Sequence, residues 1–212
     1  LLAKLPKEAQ AASDRDGLRI LDSFMIQTVK ANQELLQRLK IQTPYMLEHF
    51  YQKLLLGDLK SNDIELGGDQ PFVALKGPWF SVCVIEMDQY HKFTNTCSGS
   101  DVSLIYYTLR NLLEAICQEY DLRVTVTSLP RQAVAIIEAE NGQDQQLNIV
   151  QQALDEYRSK VAQHLKCTVT AAISGFRKGL SEIHRSYEEA VGLMNYRLLL
   201  GHNRTILYKS IK

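Results

Sequence analysis

The sequence predicts an α+β domain in which helices pack on a mixed sheet, preceded by N-terminal helices. After residue 78, short apolar strand-like runs alternate with long segments of helical periodicity in the order βαββαβαβ, which is typical of a layered α+β arrangement. The central βαββαβ is the split-βαβ pattern, and one further helix and strand extend it. An apolar content of 45% with 23% charged residues supplies a core for such a domain in 212 residues.

Each element follows from hydrophobic spacing and from the turn residues at its ends. The predicted strands are Trp79–Met87, Leu122–Ser128, Gln132–Ala139, Cys167–Ser174 and Thr205–Tyr208, and the predicted helices are Asp101–Tyr120, Gln145–Leu165 and Leu180–Leu200. Leu129-Pro130-Arg131 joins the second and third strands and indicates a hairpin. Gly201 follows the last helix, where a residue free to take a positive φ is favoured.

The N-terminal part predicts two helices before this domain. We divide the chain into a linker (1–17), a helical segment (18–57), an irregular connector (58–78) and the α+β domain (79–209). No proline or glycine interrupts residues 18–42, and Thr43-Pro44 marks the start of a second helix that runs to Leu56. The apolar stripe of the first helix, with its one asparagine, consists of Leu18, Leu21, Met25, Asn32, Leu35 and Leu39.

Two interpretations of this stripe remain open. An asparagine at one core position of a heptad repeat sets register and favours two strands, so the stripe is a candidate for a parallel homodimer. The alternative is a helix that packs on its own domain, because several core positions of the repeat are polar.

Charge and cysteine usage exclude several classes of protein. Lys+Arg and Asp+Glu number 24 each, so the chain lacks the basic surface of a nucleic-acid-binding domain. The four cysteines have no metal-binding spacing and fit small buried side chains in a reducing cytoplasm. No apolar run is long enough to span a bilayer. The chain opens without methionine, which suggests a fragment. We therefore expect a cytoplasmic location, with an upstream membrane segment left open.

The segment SYEEAVGLMNYRLLLGHNRTILY, residues 186–208, carries a family resemblance. It resembles the last third of a GGDEF domain, the nucleotide-cyclase fold of bacterial signalling, and more closely the degenerate GGDEF-like region of AraC-type transcription regulators. The resemblance extends over about Phe80–Tyr208 and implies a GGDEF/nucleotide-cyclase-like fold, with a ferredoxin-like βαββαβ core and an extra strand–helix–strand. In those regulators such a region lies between a sensor and a helix-turn-helix DNA-binding domain.

The resemblance allows the cyclase chemistry to be sought position by position. The string IEMDQYH at the end of the first strand matches the family's LDIDHFK, which places Glu86 and Asp88 at the two metal-ligand positions. Asn95 falls near the family's substrate-contacting asparagine. The alternative is that these polar residues simply face solvent at the end of a strand.

The hairpin departs from the cyclase signature. It reads SLPRQA where cyclases have YGGDEF, so Leu129 and Pro130 replace both glycines, and Arg131 and Gln132 replace the two acids. Proline cannot take the positive φ of a glycine. The string Gly67–Phe72, GGDQPF, resembles the signature but precedes the first strand, and we interpret it as a turn.

A third departure concerns the phosphate-binding lysine of active cyclases, whose position is occupied by the apolar Leu198. From these departures the sequence predicts that the chain is not an enzyme and holds neither a metal nor a cofactor. The positions interpreted as vestigial metal and nucleotide contacts are Glu86, Asp88, Asn95, Arg131 and Gln132.

The sequence thus favours a regulatory region that dimerises and relays a signal. DNA would be contacted only through a domain absent from this chain, and a membrane only through an absent upstream segment. The alternative function is a sensor that binds a nucleotide or another small molecule in the altered cleft, beside Glu86, Asp88, Arg131 and Gln132.

Overall fold

The computed structural model describes residues 45–60, 62–64, 73–95, 99–142, 144–165 and 167–211. The chain divides into two units, 1–46 and 47–212, and the contacts given below lie within the second. The predicted linker, the candidate dimer helix with its stripe, the break at Thr43-Pro44 and the GGDQPF string lie outside the described residues. The predicted domain boundaries therefore stay predictions.

The described residues form helices and strands close to those that the sequence predicts. The helices are α1 (45–56), α2 (Tyr90–Thr94), α3 (Gly99–Glu119), α4 (Asp144–Leu165), α5 (Ile183–Met194) and α6 (Arg197–Leu200). The strands are β1 (Trp79–Met87), β2 (Arg123–Leu129), β3 (Gln132–Ala139), β4 (Val169–Ile173), β5 (Arg177–Lys178) and β6 (Thr205–Leu207).

The strands form one mixed sheet in the order β2-β3-β1-β4-β6, with β5 paired to the start of β1. The central β1 is antiparallel to β3 and β4, whereas β4 is parallel to β6. Because β1 has a neighbour on each side, its end is surrounded by the hairpin, β4 and the chain that enters β6. The predicted α+β fold class, with helices packed on a mixed sheet, is confirmed.

Apolar side chains cover both faces of the sheet. Successive side chains of a strand point to opposite faces. Accordingly, Cys83 and Ile85 of β1 belong to a core under α3 and α4, while Val82 and Val84 belong to a core under α1 and α5. Burial of such side chains stabilises by roughly 1.5–3 kcal/mol each, so β1 and its end are held firmly in place.

The last helix differs from the prediction. A continuous helix was expected over Leu180–Leu200, but a 3₁₀ turn (Leu180–Glu182), α5 and α6 occupy this stretch. The break follows α5, where Asn195 and Tyr196 make i→i−3 backbone bonds of 3.3 and 3.0 Å. The physical reason is exposure: the leucines of α6 are not buried, so no packing extends the axis of α5.

Four short stretches of the described residues were not predicted: α2, β5, the helical residues 62–64 within the predicted irregular connector, and a 3₁₀ helix at Tyr208–Ile211. Two to five residues are too few for a hydrophobic period to show. Gly201 takes a φ of 88°, which confirms its predicted positive φ after the last helix. In the part of the chain that the structure describes, no helix has the length and hydropathy needed to cross a membrane.

Candidate functional site

A cavity of about 340 Å³ opens at the end of β1. Its walls come from the end of β1, the start of α2, the β2–β3 hairpin, α6 and the loop after α6. The lining residues are Glu86, Met87, Gln89, Tyr90, His91, Pro130, Arg131, Arg197 and His202. This is the edge of the sheet at which the cyclase resemblance places the vestigial residues.

Asp88, just after β1, lies at the centre of a buried polar network. Its side chain is 1% exposed, and its carboxylate accepts hydrogen bonds from the Thr170 hydroxyl at 2.7 Å and the Asn203 backbone N–H at 2.9 Å. His202 Nδ1 lies 3.0 Å from the same carboxylate and Arg197 at 3.9 Å. Both oxygens of Asp88 are therefore engaged in tying β1 to β4 and to the loop that enters β6.

Glu86 is held by a second set of contacts. One carboxylate oxygen lies 3.1 Å from an Arg197 guanidinium nitrogen, and the other accepts a 2.8 Å hydrogen bond from the Gln132 amide. Tyr187 of α5 donates to the Gln132 carbonyl oxygen at 2.9 Å. Gln132, which stands in place of a signature acid, thus connects the hairpin to β1 and to α5.

These contacts decide whether the site fits the magnesium ion that the cyclase resemblance implies. Magnesium requires oxygen ligands at about 2.0–2.1 Å in an octahedron. The Arg197 guanidinium occupies the space beside Glu86 and Asp88, and both carboxylates are already paired. Within the described ranges no group of three or more His, Cys, Asp or Glu side chains is placed to hold a metal. As placed, the residues do not fit a magnesium ion.

The hairpin side of the cavity has a different character. Pro130 and Arg131 form its turn, and Arg131 takes the left-handed φ of 66°. The arginine guanidinium lies over the ring of Tyr90, 5.0 Å from the ring centre, and the Tyr106 hydroxyl donates to the Arg131 carbonyl at 3.1 Å. Burial raises the pKa of Tyr106 to about 12, with Tyr90 and Glu86 acting in the same direction.

The turn shows how the loss of both glycines is accommodated. Proline fixes a negative φ, and a proline followed by a left-handed residue is the φ pattern of a type II turn. The strained conformation that the cyclase signature assigns to glycine falls here on Arg131, one residue after Pro130. The hairpin therefore forms with a two-residue turn and pairs Leu129 with Gln132.

The structure brings together Glu86, Asp88, Arg131 and Gln132, as the cyclase alignment implies, and it separates Asn95. Asn95 follows α2, is exposed, and does not line the cavity. That these residues are vestigial metal and nucleotide positions stays a prediction.

The sequence-based reasoning missed several residues of the site, which are Tyr90, Thr170, Arg197, His202 and Asn203. The signal for Arg197 was present, since it directly precedes Leu198, the position aligned with the cyclase lysine. Leu198 is 86% exposed and does not line the cavity, whereas Arg197 does. An alignment shifted by one residue would have found it.

Comparison with known proteins identifies the family. The family model described as GGDEF-like domain matches residues 73–196, more than half of the chain, and the chain belongs to this family. No curated protein sequence matches the chain.

Solved structures share the fold at low identity. The active GGEEF domain of a diguanylate cyclase from Vibrio cholerae is 12% identical with a TM-score of 0.52, over 73% of this chain and 94% of that one. The GGDEF domain of DgcB from Caulobacter crescentus, solved with c-di-GMP, is 14% identical with a TM-score of 0.50, over 77% and 90%. A bacterial light-regulated adenylyl cyclase is 13% identical with a TM-score of 0.50, over 83% of this chain and 55% of that chain.

These comparisons correct one prediction. The sequence departures predicted that the chain is not an enzyme, yet the structures that share its fold include diguanylate cyclases and an adenylyl cyclase. At 12–14% identity the likeness shows the fold alone. Absence of activity does not follow from the altered hairpin, and the prediction is withdrawn.

Proposed function

We propose that this chain is the signal-relay region of a bacterial AraC-type transcription regulator, in which the GGDEF-like domain couples the preceding helices to an output. The family resemblance of residues 186–208 supports the type of regulator. In this proposal the chain forms a homodimer, and DNA is bound by a domain that lies outside it.

The observation that best supports a relay is the attachment of α1 to two sides of the domain. Tyr51, Leu54 and Leu55 of α1 are at most 5% exposed, packed over the sheet with α5. Gln52 donates a 2.9 Å hydrogen bond to the carbonyl of Ser128 in the hairpin. His184 Nδ1 of α5 lies 2.8 Å from the Leu55 carbonyl at the other end of α1.

This attachment gives a mechanical path from the N-terminal side of the domain to the cleft. Side chains buried to this degree contribute roughly 1.5–3 kcal/mol each, so α1 and the sheet move together rather than separately. Ser128 is two residues before Pro130, which lines the cavity. A displacement of α1 therefore reaches the hairpin turn without passing through a flexible connection.

The relay requires that the predicted helix over residues 18–42 bring two copies together, and analytical ultracentrifugation measures this association. We expect the chain to be a dimer at tens of micromolar. Leu35→Glu places a charge in the predicted stripe and should give monomers. Gln37→Glu adds the same charge outside the stripe and serves as the matched control, which should remain dimeric. A monomeric wild-type chain would contradict the proposal.

A second measurement tests coupling. Amide hydrogen exchange at residues 128–133 should be faster in the Leu35→Glu monomer than in the wild-type dimer, because the hairpin is bonded to α1. Exchange that is identical in the two species would show dimerisation without a relay.

The cavity supports a second candidate function, a small-molecule sensor. Its volume of about 340 Å³ and its convergent charged side chains are typical of a ligand site. In this version a ligand in the cleft alters the hairpin, and the same contact with α1 carries the change.

A further inference from the structure

We propose that the cleft binds a small organic anion, through a phosphate or carboxylate group, with Arg131 as the principal cation and without a metal ion. This inference deepens the sensor function and rests on it for its biological meaning. The binding site itself depends only on the charges and the geometry around the cavity.

The charged side chains around the cavity differ in whether they have ion-pair partners. Glu86 lines the cavity, but its carboxylate is engaged by Arg197 and Gln132 at 3.1 and 2.8 Å. Asp88 is buried behind it, with His202 Nδ1 at 3.0 Å and an Arg197 guanidinium nitrogen at 3.9 Å. Arg131 lines the cavity and makes no ion pair with any described residue. Arg131 is therefore the lining cation that is available to an anion.

The Arg131 guanidinium is positioned at the cavity by an aromatic side chain. The Arg131 Cζ lies 5.0 Å from the centre of the Tyr90 ring, a cation–π distance that holds the guanidinium beside the cavity without using an N–H in an ion pair. Its N–H groups remain available for the two parallel hydrogen bonds that arginine forms with carboxylates and phosphates. His91 and His202 line the same cavity, and His202 Nδ1 is engaged by Asp88 at 3.0 Å.

The backbone around the cavity contains several residues with positive φ angles. The described residues include four non-glycine positions with positive φ, and three of them belong to this site: Gln89 at 53°, Arg131 at 66° and Asn203 at 56°. Such conformations are costly and collect at ligand sites, where they aim side chains and backbone groups. At Arg131 the left-handed turn directs the arginine toward Tyr90 and the cavity, and at Asn203 it directs a backbone N–H to Asp88.

The test uses the whole 212-residue chain labelled with ¹⁵N, titrated in the presence of EDTA so that no divalent metal takes part. The probes are inorganic phosphate, succinate and guanosine monophosphate. They separate a general oxyanion site from one for dicarboxylates or phosphate esters. We expect saturable shifts at Tyr90, at the Arg131 backbone and side-chain Nε signals, and at His202.

Variants at Arg131 make the test specific. Arg131→Gln removes the charge, while Arg131→Gly removes it in a residue that suits the positive φ and keeps the hairpin folded. Both should weaken binding at least tenfold, and Arg131→Lys should retain part of it. Arg123→Gln, at the far end of β2, removes an exposed arginine that is already paired with Glu140 and should leave binding unchanged.

The outcomes are distinct. No saturable shift with any probe, or binding that persists in Arg131→Gly, would overturn the site. Binding that is absent in EDTA and appears when excess magnesium is added would overturn the metal-free assignment. If an anion binds through Arg131 but changes neither hairpin exchange nor self-association, the site stands and the sensor function fails.

Discussion

The two sides of the cleft use charge in opposite ways. On the β1 side, the carboxylates of Glu86 and Asp88 are engaged within the protein. They contact Arg197 and His202 and accept hydrogen bonds from neighbouring donors. On the hairpin side, Arg131 is exposed, is supported by an aromatic ring and lacks a carboxylate partner among the described residues. Glu86 and Asp88, which the resemblance places at cyclase metal positions, therefore stabilise the fold here. Arg131, which replaces an acid of the cyclase signature, provides the positive charge that is available to a ligand. The type of a charged residue does not reveal whether it stabilises the fold or binds a ligand, because the groups in contact with it determine its role.

The largest expected effect on stability comes from a substitution on the β1 side of the cleft. Asp88→Ala removes a buried carboxylate and leaves His202, Thr170 and the Asn203 N–H without their acceptor. We expect a loss of about 3 kcal/mol in the free energy of unfolding, measured by urea denaturation. The control is Glu140→Gln, which removes an exposed partner of Arg123 and should cost less than about 0.5 kcal/mol. A similar small loss for both variants would mean that the Asp88 network is not structural.

Glu86→Gln tests the same comparison, because it leaves Arg197 with only its longer, 3.9 Å ion pair to Asp88. The side chains of Glu86 and Arg197 are each 23% exposed, so we expect a loss of only about 1 kcal/mol. Affinity for inorganic phosphate should rise several-fold in the same variant, by calorimetry or NMR. Unchanged or weaker phosphate binding would contradict the view that Glu86 compensates Arg197.

The hairpin side should also respond to alkali through Tyr106. Its folded-state pKa of about 12 exceeds the usual value of 10, so the unfolded chain releases its proton first. Stability from this group is therefore present below pH 10 and falls between about pH 10 and 12. Tyr106→Phe should show a shallower loss of unfolding free energy over this range. Burial also raises the pKa of the Cys117 thiol to about 12. Both proteins contain Cys117, so its contribution to the pH dependence cancels in the comparison. Equal slopes would contradict the prediction.

The smallest expected effect on stability belongs to Arg131→Gly. Glycine accepts the φ of 66° without strain, and the arginine makes no ion pair with a described residue that would be lost. We expect a change between zero and a gain of about 1 kcal/mol in the free energy of unfolding. A loss well beyond that size would show that Arg131 holds the hairpin, and its charge would then not be free for a ligand.

The sequence predicts most of this fold because long, strongly periodic segments dominate it. The strands β1 and β3 were located from their apolar runs, and α3 and α4 from their helical spacing. The break between α5 and α6 could not be predicted, since Leu198 and Leu199 continue an apolar pattern but are exposed. Sequence spacing records hydrophobicity and not the burial that follows from packing.

The site was predicted less completely. Glu86, Asp88, Arg131 and Gln132 were placed by alignment to a family motif. Their partners come from β4, α5, α6 and the loop before β6, far away in sequence. Thr170 lies 82 positions from Asp88 and His202 lies 114. No local pattern indicates such pairs, so the ion pairs and hydrogen bonds that engage Glu86 and Asp88 could be found only in the structure.

The most direct test of this account is a paramagnetic titration of the ¹⁵N-labelled chain with Mn²⁺, which binds magnesium-type carboxylate sites and broadens nearby signals. Because Glu86 and Asp88 are already paired with Arg197 and His202, the account predicts no selective broadening of residues 86–88 or Thr170. Selective, saturable loss of those signals at low Mn²⁺ would show that the carboxylates still form a metal site, and would contradict the central claim.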